Sequence, residues 1–198
     1  MGACGSRDRV PVIDGAHASE QFCFAAECSL GLHSVEFRSF QAAIKRFGYR
    51  MDLNEEHMKS IAPEINLDYE KMQSNRKAGQ ALLYLDEKFA FLGGKHHVEN
   101  LILAGWLLTK HWSDETQTTE LWHILNPFLT ETVPQKQVID IIKKILYVGI
   151  EMNVQIVSAL KDSPEKKNAL QYLGRVQANK DLFLGQCREQ LDVDVTKE

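Results

Sequence analysis

Residues 99–152 read ENLILAGWLLTKHWSDETQTTELWHILNPFLTETVPQKQVIDIIKKILYVGIEM, and their apolar residues recur at three- and four-residue spacing instead of alternating. Val98, Leu101, Ile102, Gly105, Trp106, Leu108 and Trp112 make a stripe wide enough to predict a helix buried on most sides. Ser113 caps a second helix with Asp114 and Glu115 in its first turn; this helix carries Leu121, Trp122, Ile124 and Leu125 and closes at Pro127. From Gln137 to about Leu160 runs the longest apolar-periodic segment, with a break expected near Gly149 or Asn153.

The same period extends to both sides. Phe22, Ala25, Ala26 and Leu30 share one face, and His33 to Phe47 places Phe37, Phe40, Ala43, Ile44 and Phe47 on one stripe before Gly48. Asn54 is a plausible cap for a segment that stops near Pro63, and Ala78 to Phe91 reads as a further helix ended by Gly93-Gly94. Ser163-Pro-Glu-Lys sets proline at the first helical position behind a capping serine, opening a last helix that runs towards Leu191. Strand-type alternation is nearly absent, so about eight helices with short connections predict an all-α domain. Residues 1–18 read as an extended arm, 19–191 as the helical domain with a lobe boundary possible near 92–97, and 192–198 as a polar tail.

With 44% hydrophobic and 25% charged residues, the chain has globular composition. Its net charge of −4 offers no basic surplus for nucleic acid. LILAGWLL, at Leu101 to Leu108, is too short to span a bilayer, and the polar residues 1–20 lack the apolar run of a secretory leader. A cytoplasmic chain with reduced thiols is expected. Cys4, Cys23, Cys28 and Cys187 have no C-x-x-C spacing, and Cys23 and Cys28 fall on different faces of one helix. His96-His97 point about 100° apart on a helix and do not suit one ion; with His111 and His123 they read as loop or helix-end residues. No phosphate loop, G-x-S-x-G or H-E-x-x-H is present, and Asp114, Glu115 and Glu120 read as a solvated helix start. No catalytic residue, metal or other cofactor is expected.

The layout of residues 99–152, helix, short helix with an aromatic near its end, loop and long apolar-striped helix, resembles an EF-hand calcium-sensor protein. With Val133 at loop position 8, the twelve-residue loop is Asn126 to Gln137, NPFLTETVPQKQ. Calcium takes its oxygens from positions 1, 3, 5, 7, 9 and 12, with glycine at 6. Here positions 1, 3, 5 and 6 are Asn126, Phe128, Thr130 and Glu131, and positions 9 and 12 are Pro134 and Gln137. No standard ligand position holds a carboxylate. RFGYRMDLNEEH, the likeliest earlier counterpart, starts with Arg46 and ends with His57, so its first and twelfth positions also lack a carboxylate. The resemblance implies EF-hand-like helix pairs without metal, used constitutively to bind an amphipathic helix or cytoskeletal assembly. A calcium sensor with atypical ligands is the alternative, and an enzyme without a recognisable motif the third reading.

Two further features bear on partners. Trp106, Trp112 and Trp122 lie on apolar-striped helices and are candidates to line a partner surface. The N-terminal MGACGSRDR fits the M-G-x-x-x-[ST] pattern for myristoylation at Gly2, with Cys4 available for a second acyl group. A membrane surface is then an expected contact; without acylation, a cytoskeletal or ciliary assembly is.

Overall fold

The computed structural model describes residues 16–47, 52–53, 55–65, 90–91 and 95–195. Helix α1 spans Ala18–Cys28. Its start is a reciprocal cap: the His17 ring accepts the Ser19 amide at 3.3 Å, while Glu20 accepts the His17 amide at 2.8 Å. Those amides would otherwise be orphaned. Glu20 also accepts the Tyr172 hydroxyl at 2.9 Å, and the two bonds, the His17 amide first, hold its carboxyl below the usual range.

The helix expected from His33 begins later. Leu32–Ser34 is a single 3₁₀ turn behind Gly31 at φ 80°, and α2 spans Phe37–Phe47. The delay has a cause: the Val35 amide closes the 3₁₀ turn on Leu32, and the chain then pairs with Lys110, whose amide donates to the Val35 carbonyl at 2.8 Å and whose carbonyl accepts the Phe37 amide at 3.0 Å. Phe37, Phe40, Ala43 and Ile44 then form the buried face of α2, as the stripe predicts.

Helix α3, Glu55–Ile61, continues as a 3₁₀ turn through Ala62–Ile65. Short strands β1 (Asp52–Leu53), β2 (Ala90–Phe91) and β3 (Lys95–His97) make an antiparallel ribbon in the order β1-β3-β2, pairing Leu53 with His96 and Phe91 with Lys95. Two or three residues are too few to show a period of two, which is why the sequence hides them. Most of the helix expected at Ala78 to Phe91, and the Asn54 cap, lie outside the described residues; Ala90 and Phe91 are strand.

Helix α4, Val98–Leu108, is buried along Leu101–Ala104 and at Trp106, as expected of so wide a stripe. It crosses α2 closely enough that Gly105 lies against the Phe40 ring. Helix α5, Asp114–Leu125, opens on Ser113, whose hydroxyl accepts the Thr116 amide at 3.1 Å. The long apolar run resolves into α6 (Gln135–Leu146), a π-helical segment (Tyr147–Met152) and α7 (Asn153–Ala159), so the break falls at Gly149. Ser163 caps α8, Pro164–Ala178, with proline in its first turn. The final helix is two: Asn179 separates α8 from α9, Lys180–Val195, which continues past residue 191 into the segment expected as a tail.

Among the described residues the architecture is helical apart from the ribbon, in agreement with the all-α expectation. One apolar cluster runs from Cys23 through Phe40, Ile61, Leu101 and Met152 to Leu173, so residues on both sides of 92–97 share a core. No described helix is long and apolar enough to cross a membrane.

Candidate functional site

The loop between α5 and α6 is closed by its own side chains. Asn126 is buried, and its Oδ1 accepts the Thr130 amide and the Thr130 hydroxyl, each at 2.9 Å; its Nδ2 donates to the Thr130 carbonyl at 2.7 Å. Gln137 Nε2 donates to the Leu125 carbonyl at 2.6 Å, satisfying an acceptor that the end of α5 leaves open. The side chains at the first, fifth and twelfth places thus bond to the loop and its entering helix. Phe128 is 87% exposed, Val133 is half-buried, and Leu129 takes a left-handed φ of 52° that lets the chain turn at the tip. Among the described residues no group of His, Cys, Asp and Glu is placed to hold a metal ion.

The three tryptophans separate. Trp106 is 9% exposed and its indole N–H donates to the Gln117 carbonyl at 2.9 Å, so it serves the core. Trp112 is 75% exposed, because α4 stops at Leu108 and the chain leaves the helix to pair at Lys110; its indole N–H reaches the Glu36 carboxylate. Trp122, 44% exposed, stands on α5.

Glu120 is not part of a solvated helix start. It is buried, with His111 Nδ1 at 2.8 Å and Arg38 Nε at 3.1 Å. His111 Nε2 lies 2.6 Å from the Trp106 carbonyl, an oxygen that can only accept, so Nε2 is the donor in that bond. This network joins α2, the α4–α5 connection and α5. A signal for it was present in the spacing of Glu120 and Ile124, four residues apart on one face of α5.

Cys23 and Cys28 are buried free thiols, each pushed up to about 11 by burial and by the Glu27 charge, and Cys187 is half-buried and free. Burial also raises the Glu27 carboxyl, against the pull of a hydrogen bond from Asn153 Nδ2. Asn153 is itself buried; Nδ2 also donates to the Gly149 carbonyl at 3.0 Å, and Oδ1 has no partner among the described residues. Gly2 and Cys4 lie outside the described residues. No family model, curated protein or solved structure matches the chain.

Proposed function

We propose that the protein is a non-catalytic, calcium-independent adaptor or structural protein with EF-hand-like helix pairs, which holds a helix of a partner within a cytoskeletal or membrane-associated assembly. The observation that carries the reading is the self-closed loop from Asn126 to Gln137. In an EF-hand, positions 1, 5 and 12 meet at the ion; in this chain Asn126 meets Thr130 directly and Gln137 turns to Leu125.

Spacing supports the same reading. With position 1 at Asn126, α5 ends immediately before the loop and α6 opens at position 10, Gln135. With position 1 at Arg46, α3 opens at position 10, Glu55. A third segment, Phe89 to Asn100, has Gly94 at position 6 and opens α4 at position 10, Val98. The ribbon then pairs position 8 of one loop, Leu53, with position 8 of the next, His96. Positions 1 and 12 of these two loops are Arg46 and His57, and Phe89 and Asn100, so neither supplies the bidentate carboxylate. A non-catalytic role is supported by His111 and Glu120, whose polar atoms are engaged with Trp106, Arg38 and each other inside the fold.

Calcium titration tests the proposal. Melting temperature is expected to stay constant from chelator to millimolar calcium, with no saturable heat by calorimetry; a calcium-dependent rise would overturn it in favour of a sensor with atypical ligands. The membrane arm of the reading rests on acylation of Gly2, with Cys4 as the second anchor that lasting attachment requires. Mass spectrometry of the native N-terminal peptide should show the acyl group, and Gly2→Ala should abolish membrane association. An unacylated Gly2 or a retained Met1 would remove the membrane arm and leave the cytoskeletal one.

A further inference from the structure

We infer that the groove along α6 takes an acidic amphipathic helix of the partner protein, an inference that rests on the adaptor reading above. Two open recesses lie side by side there. One, of about 330 Å³, is walled by Leu103, Ile124, Pro134 and Ile141; the other, of about 310 Å³, has Tyr147 and Leu184 at its base and a rim of charged side chains, Lys143, Glu151, Lys180 and Asp181. Lys144 lines both. Asp140 marks the first recess and Tyr147 the second, and seven residues of helix span about 10.5 Å at 1.5 Å per residue. That is the spacing of apolar anchors at i and i+7 on a docked helix.

Charge selects the occupant. The whole chain carries −4, yet the unpaired charge in this groove is mainly positive. Asp140 is engaged by Lys143 at 3.4 Å and Glu151 by Lys180 at 2.6 Å. Lys136 and Lys144 have no ion-pair partner among the described residues; the remaining acid, Asp181, sits in the first turn of α9, where the helix dipole favours it. Lys144 is half-buried between the two recesses, and a partly desolvated ammonium gains most from a carboxylate. A helix with apolar anchors seven residues apart and Glu or Asp midway places its carboxylate at Lys144. A basic helix would instead bring like charge onto Lys136 and Lys144.

The test uses the full chain and three labelled helical peptides of about 18 residues, sharing two leucines seven positions apart and carrying Glu, Gln or Lys midway between them. By fluorescence anisotropy the Glu peptide should bind at least about tenfold more tightly than the Lys peptide. Lys144→Glu should invert that order and Lys144→Gln should level it, with melting temperatures confirming that both variants fold. Equal binding of the three peptides, or an order unchanged in Lys144→Glu, would overturn the charge inference and leave the adaptor reading standing. Binding by none of them would overturn the groove as a helix site. Binding to phosphatidylserine vesicles that is lost in Lys144→Glu would assign the groove to lipid headgroups and overturn the inference as well. Failure of the adaptor reading shows separately, as calcium dependence of binding by the same peptides.

Discussion

Gly105→Ala is expected to lower the stability of the folded chain by about 2–3 kcal/mol, the upper part of the range for overpacked cores. A Cβ at Gly105 would lie 2.2 Å from Phe40 Cε1 and 2.5 Å from Cδ1, well inside carbon contact distance. Phe40 is 1% exposed, so its ring cannot swing out to solvent, and relief of the clash requires α2 and α4 to shift apart or the core around the ring to repack. Against this stands the helix propensity gained from glycine to alanine, about 1 kcal/mol, which the clash exceeds. Chemical denaturation monitored by circular dichroism reads the difference. Phe40→Leu in the same chain should recover part of the loss, so the two substitutions together should cost less than their sum. A midpoint for Gly105→Ala within error of the parent would show that the helices do not cross there.

Glu120→Ala should cost about 3 kcal/mol, because it leaves the enclosed His111 Nδ1 without its partner. The Arg38 contribution is small by comparison, since the arginine side chain is 69% exposed and water screens the pair. Glu120→Gln keeps a hydrogen-bonding group of the same shape and should cost less than half as much as alanine. Urea midpoints of the two variants distinguish this arrangement from a solvated carboxylate, for which alanine and glutamine would be equally mild.

Helices were legible where a long apolar stripe met a capping residue. Ser113 and Ser163 mark the starts of α5 and α8, and Gly149 falls within the π segment. Legibility failed where a long-range contact decided the local structure. Lys110 draws Val35 and Phe37 into a bridge, so α2 starts late and Trp112 leaves the stripe for solvent. The division at Asn179 was missed because residues on both sides favour helix, and no proline or glycine marks it. For the candidate site, the ligand-poor composition of NPFLTETVPQKQ was readable directly, whereas the Asn126–Thr130 and Gln137–Leu125 bonds needed the turn at Leu129 to bring the groups together. Glu120 was misread because acidic residues near a helix start are usually solvated, and its partners arrive from Arg38 and His111, remote in the chain or in a different element. The groove along α6 was invisible for the same reason, as Leu184 and Lys180 reach it from the far end of the sequence.

The π-helical turn at Tyr147–Met152 lets one rod serve two sets of neighbours. Each residue added to a helical turn advances everything downstream by about 100°. Helix α6 faces α4, α5 and α9, while α7, joined to it through the π segment, faces α1 and α8. An uninterrupted α-helix would keep a single seam aligned along its whole length. The wider turn acts as a phase shifter, setting the seam of α7 out of step with that of α6. Shortening the turn by one residue would leave either half able to mesh with its own neighbours, but not both at once.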